Sequence, residues 1–311
     1  MNVSCMGSKN YHFKFVFVIN CSKRRISMQM QRTIGKSVSI KGVGLHSGDD
    51  VSVTLKPAEE YTGIVFHRTD VTPGAGSISV CASAVSGFQL CTQLENEHKV
   101  KVGTVEHLMA ALYALGVDNV VVELDSEEVP VLDGSSEPWV ALLDKAGFVE
   151  QDEPRKRIKI LKEVVVKEGN SVASVKPAGD FGLHVFVHYG SQVPPQKGDF
   201  KGTEFEFRRQ LMKARTFCFE RDIEYMHSMG LAKGGSLENA VVFNEDGKPL
   251  NEEGLRYKDE ILRHKALDAM GDFYIAGYRL VGHFNLTRPG HEMNNRLLRA
   301  ILENPNNWKW V

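Results

Sequence analysis

Two short segments far apart in the chain carry residue types that could bind a metal ion and activate water. Glu106 and His107 are adjacent in the first segment, and His264 and Asp268 are four residues apart in the second. On a helix that spacing puts both side chains on one face, one turn apart, so two ligands can reach a single ion. Three histidine and aspartate ligands leave one position of a zinc ion open for water. The pattern predicts a metal hydrolase in which Glu106, at a helix end, acts as general base.

The same residues also fit ordinary structural roles. Apolar Val105 and Leu108 lie on either side of the Glu106–His107 pair, as is common for a histidine at a core boundary. His264, Asp268 and Asp272 could form a solvated stripe along one helix. Such a stripe would lie opposite an apolar face, and the residues that supply one are Leu262, Ala266, Ala269, Met270 and Phe273. Periodicity is therefore compatible with a metal site and with a solvated face, and both interpretations stay open on this pattern alone.

A third segment, 287–291, carries Arg288 and His291 in a predicted loop after a strand. A loop histidine beside an arginine suits a proton donor that works next to an anionic substrate. The alternative is an exposed histidine in a turn.

The stretch 214–243 is rich in apolar residues and contains several glycines. Its Gly-Gly-Ser at 234–236 lacks the spacing and the Lys-Ser/Thr pair of a phosphate-binding loop. The stretch is therefore either ordinary packing or the wall of a channel for an apolar substrate.

Composition sets broader bounds. The chain has 311 residues, 42% of them hydrophobic, and a formal charge of -1. This balance gives no electrostatic signature of a nucleic acid or an anionic membrane as partner. The five cysteines are widely spaced and form no C-x-x-C pair. This usage suits a reducing cytosol and argues against a cysteine-based metal site.

Residues 1–30 are predicted to be a dispensable N-terminal extension. The apolar run 13–19 is shorter than the roughly twenty residues that a membrane-spanning helix needs. A targeting peptide is the alternative, but a basic Lys-Arg-Arg follows the apolar run where a small-residue cleavage site would be expected.

From Gln31 onward the chain alternates strands and helices in two similar blocks, 31–150 and 157–311, joined by a charged linker at 151–157. The predicted strands are 38–40, 51–55, 119–124, 158–166, 183–188 and 280–285. The predicted helices are 105–115, 138–146 and 255–276, and glycines at 116 and 147 end the first two.

We predict an α+β fold of two similar two-layer sandwich domains packed face to face, with small inserts. Each domain is expected to have a mainly antiparallel sheet covered by helices on one face. The helices of the two domains would then meet at a common interface, where a cleft is a usual place for a ligand site. That arrangement lets His107 meet His264 and Asp268 despite their separation in sequence.

Seven segments resemble, in order, the motifs of one family: GVGLHSG at 42–48, TVEHL at 104–108, VLDGS at 131–135, ARTF at 214–217, GGS at 234–236, RHK at 263–265 with Asp268 and Asp272, and GH at 290–291. The family is that of the UDP-3-O-acyl-N-acetylglucosamine deacetylases, zinc amidases of the committed step of lipid A biosynthesis in Gram-negative bacteria. The resemblance extends from about residue 31 to about residue 302.

The resemblance implies a role for each matching residue. His107, His264 and Asp268 correspond to the ligands of one Zn²⁺, for which Fe²⁺ could substitute. Glu106 corresponds to the general base and His291 to the general acid that protonates the departing amine. Asp272 corresponds to the residue that orients His291, and Thr216 to the one that donates a hydrogen bond to the carbonyl oxygen. Lys265 is expected to contact the sugar nucleotide, and Phe217 to form a wall of its pocket. His46 and Arg288 are weaker candidates for substrate contacts.

The resemblance also implies that this apolar stretch, as an insert near 217–243, forms a passage for the 3-O-acyl chain. The lining residues that it implies are Ile223, Ala232, Ser236, Ala240 and Val242, with Leu90 and Cys91 from the first domain. Lys233 is less expected beside such a passage, unless its ammonium group extends to the rim.

The expected partners are the UDP-sugar substrate and water. We expect a cytoplasmic monomer that binds no nucleic acid and does not insert stably into a membrane. One alternative is a zinc amidase for another acylated or nucleotide sugar. The other is a non-catalytic binding protein on the same scaffold, which is disfavoured because ligands, base and acid are all present.

Overall fold

A computed structural model describes residues 29–190 and 193–311, so nearly all of the predicted N-terminal extension lies outside the described residues. The described helices are α1 (Glu106–Leu115), α2 (Glu137–Ala146), α3 (Glu204–Gln210), α4 (Glu220–Ser228), α5 (Glu260–Tyr274) and α6 (His291–Glu303). None of these helices is long and apolar enough to cross a membrane.

Seventeen described strands precede α5 in the chain. In chain order they are β1 (Met30–Ile34), β2 (Val38–Val43), β3 (Asp50–Pro57), β4 (Ile64–Arg68), β5 (Ser77–Ser79), β6 (Val85–Gly87), β7 (Gln93–Glu95), β8 (Lys101–Val102), β9 (Val120–Leu124), β10 (Phe148–Pro154), β11 (Arg157–Ile160), β12 (Val164–Glu168), β13 (Ser171–Lys176), β14 (Gly182–Val187), β15 (Gln196–Lys201), β16 (Phe217–Phe219) and β17 (Val241–Phe243). Three more follow α5, and they are β18 (Arg279–Val281), β19 (His283–Thr287) and β20 (Trp308–Trp310).

Two five-stranded sheets have the same topology. Their strand orders are β2-β3-β9-β4-β5 and β12-β13-β19-β14-β15. In both sheets the third and fourth strands in this order are parallel and every other neighbouring pair is antiparallel. The predicted fold of two similar, mainly antiparallel α+β sandwiches is confirmed.

Four helices pack on the two sheets or on each other where the two halves meet. Helix α2 packs against β2 of the first sheet, while α5 packs on β14 and β15 and α6 on β12 and β13 of the second. Helices α1 and α5 pack against each other and join the two halves. Period-two burial explains the sheet faces: in β3, Val51, Val53 and Leu55 are buried and the residues between them are not.

Glycines set the length and the spacing of the two central helices. Gly116 caps α1 in the left-handed conformation, with φ 71°, as the sequence predicted. Gly271 lies where α5 crosses α1, and a Cβ atom there would be 2.1 Å from the carbonyl oxygen of Glu106. Only a residue without a side chain allows this close approach.

Several predicted boundaries were wrong. The segment predicted as a charged linker is largely β10, which pairs with β1 and leaves only residues 155–156 between β10 and β11. The predicted strands 158–166 and 280–285 are each two strands that belong to different sheets. Apolar alternation continues across such a change of sheet, so the pattern does not reveal it.

Two other predicted segments differ in their limits. The helix predicted from residue 255 begins at Glu260, because the preceding residues form turns. His291 is the first residue of α6 and not a loop residue, so the loop after β19 is shorter than predicted.

Candidate active site

The three predicted ligands converge between the two central helices. His107 lies in the first turn of α1, and His264 and Asp268 lie one turn apart on α5. One potential ligand atom of each lies within 4.8 Å of the others. Asp268 Oδ1 is 3.2 Å from His264 Nε2 and 3.6 Å from His107 Nε2. All three side chains are buried, so the solvated-stripe alternative is excluded for them.

Neighbouring groups orient the ligands and leave the facing atoms free. His264 Nδ1 donates to the carbonyl oxygen of Ala214 at 3.0 Å, which leaves the Nε2 lone pair directed toward Asp268. Lys265 Nζ donates to Asp268 Oδ2 at 2.8 Å. Asp268 Oδ1 is buried and accepts no hydrogen bond within the described residues. An unpaired buried carboxylate oxygen beside two imidazole nitrogens fits the donor set of a divalent cation.

The protonation states also fit a cation site. Burial, followed by the neighbouring His264, lowers the pKa of His107 to about 3. Burial likewise lowers the pKa of His264. Burial alone would raise the pKa of Asp268, but His264 and Lys265 outweigh it and hold that pKa below its usual range. Two neutral imidazoles and one carboxylate are therefore present at neutral pH, and this is the form that binds metal.

Glu106 lies beside this cluster as the first residue of α1 and is buried. Its Oε2 accepts a hydrogen bond from the Thr92 amide at 3.1 Å. Burial raises the pKa of Glu106 to about 7, with His291 opposing the shift. A carboxylate with a pKa near neutrality can both take and release a proton.

His291 lies next to Glu106, and its Nε2 is 3.8 Å from Glu106 Oε1. Its Nδ1 is 3.0 Å from Asp272 Oδ2. Asp272 also accepts hydrogen bonds from the Thr92 hydroxyl at 2.7 Å and from Asn294 Nδ2 at 2.8 Å. Burial opposes protonation of His291, but Asp272 and Glu106 outweigh it and raise its pKa to about 9. The imidazolium form is therefore present at neutral pH.

Known proteins resemble this chain along most of its length. The family model of the UDP-3-O-acyl N-acetylglycosamine deacetylases matches residues 31–303. The chain belongs to this family. Proteins named UDP-3-O-acyl-N-acetylglucosamine deacetylase from Glaesserella parasuis and Pasteurella multocida are each 46% identical, over 291 and 289 residues. A Haemophilus influenzae protein of the same name is 45% identical over 289 residues. These alignments cover 91% of this chain and 93–94% of each relative.

Two further residues that the deacetylase resemblance had singled out, Lys265 and Phe217, lie beside the ligands. Lys265 Nζ lies 5.6 Å from the centroid of the Phe217 ring, which is itself 6.2 Å from the His264 ring. Thr216 lies two residues after Ala214, whose carbonyl oxygen accepts the hydrogen bond from His264. The Thr216 backbone is fixed on both sides, because its amide donates to Gly134 and its carbonyl accepts from Val241.

His46 lies in the 42–48 turn, and Arg288 lies in the loop that precedes α6. Both ring nitrogens of His46 are shielded from solvent and lack a hydrogen-bond partner among the described residues. Burial lowers the pKa of His46, and His291 is among the groups that act on it. Arg288 Nη2 is 2.7 Å from His188 Nδ1, and its backbone has a positive φ of 51°.

The residues assigned to the acyl passage differ in exposure. Ala240, Val242 and Cys91 are buried, whereas Leu90 is 53% exposed. Of the others, Ile223 on α4 and Ala232 are half-buried and Ser236 is exposed. Lys233 is exposed, which agrees with a position at a rim. The insert rests on the 42–48 turn through Gly234, where a Cβ would be 2.2 Å from the Gly44 carbonyl oxygen.

Sequence reasoning missed three residues that hold this site. Thr92 bridges Glu106 and Asp272, and Asn294 supports Asp272. The buried Glu128 accepts hydrogen bonds from the His46 and Ser47 amides and from the Thr104 hydroxyl. Asn294 follows His291 at helical spacing and could have been found had α6 been predicted; the other two carry no local signal.

Proposed function

We propose that this protein is a metal-dependent amidase that removes the N-acetyl group of UDP-3-O-acyl-N-acetylglucosamine, giving UDP-3-O-acyl-glucosamine and acetate at the committed step of lipid A biosynthesis. The observation that carries the proposal is the buried pairing of Glu106 and His291 beside the convergent His107, His264 and Asp268. Close relatives that bear the deacetylase name support the substrate.

His107, His264 and Asp268 are the residues that would hold the metal. A bound divalent ion supplies Lewis acidity, which polarises the amide carbonyl and makes water more acidic. Two imidazoles and one carboxylate are a common catalytic donor set for zinc. Fe²⁺ can bind the same donors. We propose zinc as the resident ion, and the experiment below compares the two metals.

Glu106 takes the proton of the attacking water through Oε1. Its other oxygen is held by the Thr92 amide, so Oε1 is the atom that is left to face His291 and the substrate. Because its pKa lies near 7, a substantial fraction is ionised at neutral pH and can act as base.

His291 delivers a proton from Nε2 to the amine nitrogen as the carbon–nitrogen bond breaks. Asp272 binds Nδ1 and stabilises the charged ring, and the three donors on Asp272 keep that carboxylate in place. The electron pair of the broken bond stays on nitrogen, and the products are acetate and the free amine.

The remaining residues bind and orient the substrate. The Thr216 hydroxyl donates to the carbonyl oxygen, where negative charge develops. Lys265, Phe217, His46 and Arg288 contact the sugar nucleotide. The acyl chain lies along Leu90, Cys91, Ile223, Ala232, Ser236, Ala240 and Val242. The described cysteines are free thiols, which supports a cytoplasmic enzyme, and we propose that it acts as a monomer.

The test is acetate release from UDP-3-O-acyl-N-acetylglucosamine by purified protein, before and after metal removal and after addition of Zn²⁺ or Fe²⁺. We expect activity to disappear on chelation and to return with zinc. If folded, zinc-loaded protein released no acetate, the proposed substrate would be wrong, and a panel of other acylated and nucleotide sugars would separate a different amidase from a binding protein.

A further inference from the structure

A cavity of about 320 Å³ lies at the C-terminal end of α1, the opposite end from Glu106 and His107. Four arginines line it: Arg32, Arg155, Arg157 and Arg279. They come from β1, from the connection between β10 and β11, from β11 and from β18, so the cavity lies at the seam between the two halves. The ten residues of α1 separate it from the catalytic groups by about 15 Å.

Three of these arginines bind carbonyl groups at the end of α1. Arg32 donates to Leu115 at 3.0 Å, Arg155 to Gly116 at 2.7 Å, and Arg279 to Tyr113 at 2.6 Å. Helix carbonyls in the last turn lack partners within the helix and carry partial negative charge, so cationic donors stabilise them. Arg155 is also paired with Asp118. Capping of α1 therefore accounts for three arginines but not for the fourth.

Arg157 is the unexplained member of the cluster. Its side chain is half-buried yet forms no hydrogen bond or ion pair with any other described residue. Burying a guanidinium group without a partner is unfavourable, and the neighbouring positive charges add to that cost. The acidic residues that line the cavity, Asp180 and Glu204, are exposed, and Glu204 is paired with Arg208 outside it.

Two of the four guanidinium groups, those of Arg155 and Arg279, lie close together at the end of α1. The position that a Cβ of Gly116 would occupy is 3.3 Å from Arg155 Nη2 and 3.6 Å from Arg279 Nη1. Four guanidinium groups and only two carboxylates, both exposed, line the cavity, so its wall carries a net positive charge that favours an anion. The planar forks of arginine match the oxygens of a phosphate group two at a time, and the cavity has the volume of a small-ligand site.

We propose that this cavity is a second, non-catalytic site that binds a small phosphate-bearing anion, with Arg157 as its main unshared donor. The proposal is independent of the deacetylase activity. Its ligand is identified by chemistry only, because free phosphate and a phosphate monoester present the same oxygens to the arginines.

The test is calorimetric titration of the purified full chain with inorganic phosphate and, separately, with glycerol 3-phosphate, at constant ionic strength. We expect saturable binding of at least one probe by the wild type, and at least a tenfold higher Kd in Arg157→Gln. The stronger probe tells whether the site prefers the free or the esterified anion. Lys159→Gln is the matched control, because it removes one positive charge from the same strand outside the cavity, and its Kd should be unchanged.

Three results would overturn the proposal: no saturable binding of either probe by the wild type, unchanged binding in Arg157→Gln, or equal weakening in Lys159→Gln. Phosphate bound at the catalytic site would persist in Arg157→Gln and inhibit acetate release, so the two locations are distinguishable. If Arg157→Gln failed to fold, Arg157→Lys keeps the charge but loses the fork, and unchanged affinity there would also count against the site.

Discussion

At the scale of single residues, the proposed mechanism depends on two neighbouring groups in opposite protonation states, the buried Glu106 and the half-buried His291. Burial raises the pKa of Glu106 to about 7, whereas Asp272 and Glu106 overcome burial and raise that of His291 to about 9. Between these values the carboxylate can accept a proton and the imidazolium can donate one. Both groups lie beside the ligand cluster without belonging to it.

Replacing either group should therefore impair turnover and spare the metal. We expect Glu106→Ala and His291→Ala to lower kcat for acetate release by about 10²- to 10⁴-fold, the usual contribution of a general acid or base. Metal analysis of the same samples should give wild-type content. Full activity in Glu106→Ala would show that Glu106 is not the general base.

The alkaline limb of the pH profile tests the pairing of His291 with Asp272. His291 must be protonated to act as acid, so activity should fall as pH rises through its pKa of about 9. Because Asp272 raises that pKa, Asp272→Asn should move the alkaline limb to lower pH. Glu292→Gln removes a charge one residue from His291, where Glu292 pairs with Arg296, and should leave the limb in place. An unshifted limb in Asp272→Asn would contradict the pairing.

At the scale of elements, Glu128 joins the 42–48 turn to the start of α1. Its carboxylate is buried and accepts three hydrogen bonds from His46, Ser47 and Thr104. Thr104 has a φ of 54°, which is strained for a β-branched residue, and it lies two residues before Glu106. Glu128 therefore helps to hold a strained connection that positions the catalytic end of the helix.

Glu128→Gln should turn one acceptor oxygen into a donor that faces another donor. We expect the free energy of unfolding to fall by about 1–3 kcal/mol, the cost of leaving buried polar groups unsatisfied. Denaturant titration measures it, with kcat/KM expected to fall in parallel. The neighbouring Glu127 is exposed, so Glu127→Gln is the control and should change neither quantity. Equal stability of the two variants would argue against the role of Glu128.

The crossing of α1 and α5 is a second test at this scale. A methyl group at Gly271 would meet the Glu106 carbonyl oxygen at 2.1 Å, so the two helices must move apart in Gly271→Ala. We expect a loss of about 1–3 kcal/mol in stability from overpacking, together with lower activity, because Glu106 and His107 lie on the displaced helix. Gly179→Ala should be nearly neutral, since nothing lies within 4 Å of its Cβ position. Wild-type activity in folded Gly271→Ala would show that the spacing is not critical.

At the scale of the whole molecule, the site joins the two halves of a duplicated fold. One ligand lies on α1, in the first half of the chain, and two lie on α5, which packs on the second sheet. A ligand that binds only the folded state stabilises it by mass action. Occupation of this site should therefore stabilise the contact between the halves as well as the site itself.

Metal removal should accordingly lower the melting temperature. At an ion concentration of about one hundred times Kd, binding adds about 2.7 kcal/mol to stability. We expect a chelator to lower the Tm of the wild type and of Glu106→Ala, but not that of His264→Ala, which should lack stoichiometric metal. His184→Ala, which removes a histidine from an exposed pair with Asp199, should respond as the wild type does. Stoichiometric metal in His264→Ala would mean that the ligand set is wrong.

The local sequence determined the features that depend on short-range chemistry. The Glu-His and His-x-x-x-Asp spacings identified the residues that the structure brings together. Gly116 ended α1 as predicted because left-handed backbone favours glycine, and the repeated order of elements indicated two similar sandwiches. These features need only the neighbours of each residue along the chain.

Tertiary structure alone decided the rest. It showed that His107, His264 and Asp268 are buried, which periodicity left open, and it brought Thr92 to Asp272 across 180 residues. It also divided apparently continuous strands between sheets and paired the supposed linker β10 with β1. Burial, hydrogen-bond partners and pKa values arise from atoms that meet only when distant elements pack, so no local pattern along the chain contains them.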